Sequence, residues 1–132
     1  MREILFRAKN YRTKQWVYGI PFKNPLRGSK DAYYPQIIPE VHGVHSTINS
    51  CSIIEETIGQ YTGLTDKNGV KIFEGDIVEY EGKRYSINYL PHYARFSAVK
   101  PNTVFCVFAY QRGEVIGNIY DNPELIGGAE NG

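Results

Sequence analysis

The sequence predicts a mainly β protein, and two of its features carry the prediction. Tyr, Phe, Val and Ile recur at every second position in several stretches, as is typical of strands with one buried face. Gly, Asn and Pro separate these stretches and mark tight turns. The clearest alternation is RYSINY, where we expect Tyr85, Ile87 and Tyr89 on one face of a strand and the residues between them on the other.

The predicted strands cover both ends of the chain. Glu81 and Gly82 are expected to form the hairpin turn between two of them. The stretch VFCVFAY is apolar on both faces, so its strand should lie in the interior or in an interface. Strands are predicted at residues 2–8, 15–20, 76–81, 83–90, 94–99, 103–110 and 114–120, with weaker strand character at 57–61 and 70–74.

Helix is expected only in short pieces. In NSCSIIEETI, the spacing of Ser52 and Glu55 matches a capping box and would allow one or two helical turns. Near the end of the chain, Asn122 is a typical N-cap and Pro123 a typical first helical residue. The sequence therefore predicts a short C-terminal helix, which the next two glycines end.

The length of 132 residues fits one domain, predicted at 1–127 with a barrel-like core at 57–127 and a flexible tail at 128–132. Three prolines and no periodicity predict a surface loop at 21–35, either ordered or disordered. No apolar run approaches the roughly 20 residues of a membrane span, and the N-terminus lacks a secretory signal. We therefore expect a cytoplasmic protein of a bacterial host cell, without membrane contact, whose two cysteines stay reduced.

The formal net charge of +1 hides a segregated charge pattern. Residues 1–30 hold eight basic residues and one acid, residues 52–82 hold seven acids and two lysines, and residues 83–112 hold five basic residues and no acid. Such blocks favour either a basic binding surface or pairing of opposite charges between segments or subunits. The sequence leaves both alternatives open.

Two stretches resemble metal sites but fail on spacing. In DKNGVKIFEGD, beginning at Asp66, the glycine comes fourth, whereas a calcium-binding EF-hand loop needs it sixth. Asn68 and Gly69 are instead the pair expected in the left-handed positions of a tight turn. His42 and His45 lack the second ligand pair that a zinc site requires. We therefore predict no metal site.

The sequence likewise shows no recognisable set of catalytic residues. His92 would need a nucleophile or a carboxylate partner, but no acid lies between Lys83 and Arg112. The chain has no nucleophile elbow, phosphate-binding glycine loop or HExxH pattern. The sequence thus predicts a protein that is not an enzyme, with no cofactor and no small-molecule substrate identified.

One stretch combines basic and aromatic residues, KRYSINYLPHYARFSAVK at 83–100. Cations neutralise phosphates while exposed rings stack on unpaired bases, so this composition suits a surface for single-stranded nucleic acid. The competing interpretation is that the rings fill the core and the cations lie on outer strand faces. The candidate contact residues are Arg84, Tyr85, Tyr93, Arg95 and Lys100.

A family resemblance adds to this reading. The block TIGQYTGLTDKNGVKIFEGDIVEY (57–80, the signature block), together with REILFRA, WVYG and the closing VIGNIYDNPELI, resembles the YopX family of prophage-encoded proteins. The resemblance implies small β-rich, barrel-like proteins of phages and prophages that tend to form homo-oligomers, and it transfers no catalytic residue. The positions that match the family pattern are interpreted as structural, since Asp76 would begin a strand and the glycines would form turns. These positions are Gly59, Gly63, Asp66, Asn68, Gly69, Gly75 and Asp76.

Together, these observations predict a mainly β fold: a small, partly open SH3-like or related β-barrel with an N-terminal β segment and a short C-terminal helix. The predicted function is that of a non-enzymatic phage or prophage accessory protein acting through binding and self-assembly. The alternative is a single-stranded nucleic-acid-binding protein that uses the basic and aromatic residues of 83–100 together with the basic N-terminus.

Overall fold

The structure, a computed structural model, describes residues 3–25, 33–41, 44–45, 50–99, 106–107 and 112–127. These ranges confirm a mainly β fold, with one 3-10 turn near the C-terminus. The strands are β1 (Phe6–Asn10), β2 (Trp16–Pro25), β3 (Tyr33–Val41), β4 (Val44–His45), β5 (Cys51–Thr65), β6 (Lys71–Phe73), β7 (Asp76–Tyr80), β8 (Lys83–Leu90), β9 (Arg95–Val99), β10 (Cys106–Val107) and β11 (Glu114–Asn118).

The chain forms two compact units that divide inside β5. The N-terminal unit comprises Glu3–Gln60, and the C-terminal unit begins at Tyr61. The second unit thus starts close to residue 57, where the barrel-like core was predicted to begin. The single domain at 1–127 stays a prediction, and the tail at 128–132 lies outside the described residues.

The N-terminal unit is an antiparallel sheet that partly closes on itself. Its strand order is β4-β3-β2-β1-β5, and β3 also pairs with β5. This return pairing creates an inner face, where Ala8, Ile37 and Ile53 are fully or almost fully buried. The closing pairing therefore lies in this unit, whereas the prediction placed the barrel-like core at 57–127.

A bulge in β5 shapes the edge of this sheet. Lys9 pairs with Ile54, but Arg7 already pairs with Gly59, so β5 carries extra residues between these two points. The Thr57 hydroxyl replaces the missing backbone partner, since its Oγ1 accepts a hydrogen bond from the Lys9 amide at 2.8 Å. The bulge leaves the neighbouring carboxylates of residues 55 and 56 exposed.

The C-terminal unit contains an antiparallel five-stranded sheet of order β10-β9-β8-β7-β11. The hairpin β5–β6 precedes it in the chain. One core cluster of this unit combines four aliphatic side chains with one ring: Ile72, Val78, Tyr85, Ile87 and Ala98. Between β7 and β8, Glu81 and Gly82 both have positive φ, which confirms the predicted hairpin turn.

Two sequence-based predictions of local structure are wrong. The capping-box segment at 50–56 is not helical; it begins strand β5, whose pairing with β1 and β3 overrides the local capping signal. The loop predicted at 21–35 is strand at both ends, with 21–25 in β2 and 33–35 in β3. Prolines fit there because β2 pairs with β1 only up to Gly19, so the later residues of β2 have β3 alone as a partner.

The structure also refines the predictions for the C-terminal helix and for the strand at 103–110. The predicted C-terminal helix is a single 3-10 turn, Pro123–Ile126, which Gly127 ends in the left-handed conformation. Asn122 precedes this turn, but its side chain accepts a hydrogen bond from the Asn118 amide instead of capping it. Of the strand predicted at 103–110, only the two residues of β10 lie within the described ranges.

In the signature block, Gly69 has a φ of 83°, as the turn prediction requires. Asn68 is not among the residues with positive φ, so the prediction of two left-handed residues is wrong for Asn68. A Cβ atom added to Gly69 would meet no atom within 4 Å. Only backbone conformation therefore restricts this position.

We predict that Gly69→Val lowers the free energy of unfolding by about 1–2 kcal/mol, because a β-branched residue is disfavoured at positive φ. Urea unfolding followed by circular dichroism measures the change. Gly69→Asn is the matched control and should keep most of the stability, since Asn adopts this conformation readily. Equal stability of the valine and asparagine variants would contradict the prediction.

Candidate functional site

The signature block is organised around the buried carboxylate of Asp66. Its Oδ1 accepts hydrogen bonds from the amides of Asn68 at 2.8 Å and Val70 at 2.9 Å. Its Oδ2 accepts one from the amide of Val115 in β11 at 2.9 Å. One side chain therefore closes the loop after β5 and attaches it to β11.

The other matching positions of the block also serve the backbone. Asp76 is buried, and its Oδ2 accepts a hydrogen bond from the Phe73 amide at 2.7 Å. Gly63 and Gly75 have φ values of 92° and 94°, and Gly59 is buried in β5. The carboxylates of Asp66 and Asp76, the two aspartates of the calcium-like loop, thus accept hydrogen bonds from backbone amides, consistent with the interpretation of the block as architecture.

The residues predicted to contact nucleic acid lie in different environments. Tyr85 is only 3% exposed and belongs to the core, so its ring is not available for stacking and its assignment as a contact residue is wrong. Arg84 lies 3.5 Å from the Glu79 carboxylate, and its Nη1 donates a hydrogen bond to the Leu125 carbonyl at 3.1 Å. Lys100 lies outside the described residues.

Tyr93 and Arg95, by contrast, are brought together at the tip of the β8–β9 hairpin. The Arg95 guanidinium carbon lies 4.8 Å from the centroid of the Tyr93 ring, which is 63% exposed. One strand position away from the tip, Tyr89 is 44% exposed and packs edge-on against Phe96, at 5.2 Å between ring centroids. The tip thus combines a cation with exposed aromatic surface.

Comparison with known proteins identifies a family and a similar solved structure. The family model described as YopX protein matches residues 5–127. The chain belongs to the YopX family. The fold is also similar to the crystal structure of protein EF1440 from Enterococcus faecalis, with 28% sequence identity, a TM-score of 0.51, and coverage of 96% of this chain and 99% of that chain. No curated protein matches the chain.

Within the described part of this YopX-family chain, no group of three or more His, Cys, Asp or Glu side chains is placed to hold a metal ion. His92 is exposed on the β8–β9 turn, and the side chains of His42 and His45 lie outside the description. Burial raises the pKa of the Cys51 thiol, although a hydrogen bond with Asn10 acts in the opposite direction. No helix among the described residues is long and apolar enough to cross a membrane.

The Asp66 network makes folding of the YopX-family chain sensitive to acid. Burial alone would raise the pKa of this carboxyl, but the amides of Val115, Val70 and Asn68 and the charge of Lys67 stabilise the ionised form, so its pKa lies below the usual value. A lowered pKa means that Asp66 contributes stability above the pKa of the unfolded chain, about 3.9. That contribution is lost as the pH falls through the lower pKa of the folded state.

We predict that Asp66→Asn lowers the free energy of unfolding by about 1–3 kcal/mol at neutral pH, because an amide cannot accept all three backbone hydrogen bonds. Denaturant unfolding at a series of pH values measures the effect, and the difference from wild type should shrink at acidic pH. Glu56→Gln, at an exposed carboxylate, is the control and should leave the stability curve unchanged. A difference between wild type and Asp66→Asn that does not depend on pH would contradict the assigned role.

Proposed function

We propose that this YopX-family chain is a non-enzymatic phage or prophage accessory protein that acts through binding and self-assembly. Family membership and the resemblance to prophage-encoded proteins support the phage context. The carboxylates Asp66 and Asp76 support a structural role of the signature block, because backbone amides bind their oxygens.

The observation that carries the self-assembly proposal is the β5–β6 hairpin. It exposes two aliphatic side chains, Leu64 and Val70. Hydrogen bonds from other side chains hold the backbone of the hairpin in place. The Thr62 hydroxyl donates to the Ile72 carbonyl at 2.8 Å and accepts from the Leu64 amide at 3.2 Å, while Asp66 binds the Val70 amide. A rigid apolar surface loses little conformational entropy when it associates, which favours its use as an interface.

We expect the protein to form oligomers at tens of micromolar, a range in which interfaces of moderate affinity are populated. Light scattering after size-exclusion chromatography measures the mass. The double variant Leu64→Lys/Val70→Lys should shift the protein toward monomer without unfolding it, because both side chains are exposed. Ile4→Lys, at an exposed apolar residue outside the hairpin, is the matched control. A strictly monomeric wild type would count against self-assembly.

A second candidate function is binding of single-stranded nucleic acid, favoured by the contact between Arg95 and the exposed ring of Tyr93. Arg95 would neutralise a phosphate, while the rings of Tyr93 and Tyr89 would stack on unpaired bases. Arg84 supports this candidate less well, because Glu79 and the Leu125 carbonyl already contact its guanidinium.

Mobility shift with single- and double-stranded DNA and RNA across a salt series tests this candidate. Arg95→Glu should reduce the log–log salt slope by roughly 0.7, the value of one phosphate contact on a single strand. Tyr93→Ala should weaken binding by about 1–3 kcal/mol with little change in slope. Lys83→Glu, at an exposed cation at the end of β8 opposite the β8–β9 tip, is the charge control. Unchanged binding by both tip variants would contradict a role of the β8–β9 tip in nucleic-acid binding.

A further inference from the structure

A second surface of basic and aromatic side chains lies on the β1–β2 hairpin of the N-terminal unit. We call it the basic hairpin. Its members come from both strands and from the turn between them: Arg7, Lys9, Tyr11, Arg12, Lys14, Trp16 and Tyr18. The chain segment from residue 4 to residue 30 that contains it has seven basic residues and no acid.

Strand register puts the strand residues of the basic hairpin on one face. Lys9 lies opposite Trp16, and Arg7 lies opposite Tyr18. Residues directly opposite each other in an antiparallel pair point to the same side of the sheet. The alternate residue Ala8 is buried in the core, so this face is the outer face of the partly closed sheet.

On the outer face, cations and rings are interleaved. The Arg7 guanidinium carbon lies 4.5 Å from the centroid of the Trp16 ring, and Lys9 Nζ lies 5.6 Å from it. Arg7 is buried against this ring, whereas Tyr18 is 46% exposed. Arg7 and Lys9 therefore add positive potential at the Trp16 ring, on the same face of the hairpin as Tyr18.

The turn of the hairpin is held by its own hydrogen bonds. Asn10 Oδ1 accepts from the amides of Arg12 at 2.8 Å and Thr13 at 3.1 Å, and the Asn10 carbonyl accepts from the Lys14 amide at 2.9 Å. The Tyr11 ring is 62% exposed, and Lys14 Nζ lies 4.9 Å from its centroid. A ring and two exposed cations are therefore presented in a fixed arrangement.

We propose that the basic hairpin binds single-stranded nucleic acid. Arg12, Lys14 and Lys9 would contact phosphates, while the Tyr11 and Tyr18 rings would stack on bases. The inference rests on the proposed binding role of the protein and shares its ligand class with the second candidate function. It uses different residues, so either surface can fail without the other.

Charge and chemistry favour this ligand over an acidic segment of a second copy. Two exposed acids, Glu55 and Glu56, line one cavity of about 430 Å³ together with Tyr11. Against these two carboxylates the basic hairpin holds four cations, so a positive excess remains. An acidic peptide would use the cations but not the exposed rings, whereas unpaired bases on a phosphate chain use both.

The test measures binding of fluorescently labelled single-stranded DNA and RNA oligonucleotides by anisotropy across a salt series. Arg12→Glu/Lys14→Glu should flatten the log–log salt slope by roughly 1.4 if each cation contacts one phosphate. Tyr18→Ala should weaken binding roughly 5- to 100-fold at an unchanged slope, and Tyr18→Phe should restore it. Trp16 is the only tryptophan, so its fluorescence should change when the oligonucleotide binds.

Lys83→Glu/Arg112→Glu is the matched control, with the same change in charge at exposed residues of the C-terminal unit. Three outcomes would overturn the proposal. The first is that the wild type does not bind at low salt. The second is that binding survives the basic-hairpin variants and is lost in Arg95→Glu, which would place the ligand on β8–β9 instead. The third is that the basic-hairpin variants change only the oligomeric state, which would identify a second copy as the occupant. Circular dichroism of each variant establishes that it is folded.

Discussion

The buried carboxylate of Asp66 is the constraint on which the C-terminal unit depends. A backbone amide that is removed from water needs an acceptor, and this side chain supplies acceptors for three amides. Two of these amides lie in the loop after β5, and the third lies in β11, 49 residues further along the chain. The same carboxylate therefore forms the turn through Oδ1 and holds the edge of the five-stranded sheet through Oδ2.

This arrangement also limits what can pair with β11. A strand at the edge of a sheet exposes unpaired amides and carbonyls that another chain can bind. Here the Val115 amide donates to Asp66, and the Gly113 carbonyl accepts from the Lys67 amide at 3.1 Å. The loop after β5 covers part of that edge, and this role accounts for its cluster of turn residues and acids without a ligand.

The sequence predicts structure well where the determinants are local. The β7–β8 hairpin lies within one residue of its prediction, because alternation and the turn at Glu81 and Gly82 are both encoded in a short stretch. Strand β5 was missed between 51 and 56, because its bulge interrupts the alternation and its strand character depends on pairing with β1 and β3. The sequence indicated an architectural role for Asp66, but its hydrogen-bond partner Val115 is too distant in sequence to infer.

Alternation likewise predicted part of the arrangement of the β8–β9 rings. It placed Tyr85 and Tyr89 on one face of β8, yet the first is in the core and the second is 44% exposed. The reason is that Tyr89 lies near the end of the hairpin, opposite Phe96, where the core no longer covers the face. The alternation of side chains along a strand assigns each side chain to a face. Only the packing of the sheet decides how far along the strand that face is buried.

The two charge blocks behave differently once the chain is folded. In the acidic block, Asp66 and Asp76 are buried on backbone amides and Glu79 lies beside Arg84, so the count of acids overstates its negative surface. In the basic hairpin, Arg12 and Lys14 are exposed on a fixed turn. Among the described residues, folding therefore buries two acids of the acidic block, Asp66 and Asp76, and one cation of the basic hairpin, Arg7, so the charge that each block exposes is smaller than its count in the sequence.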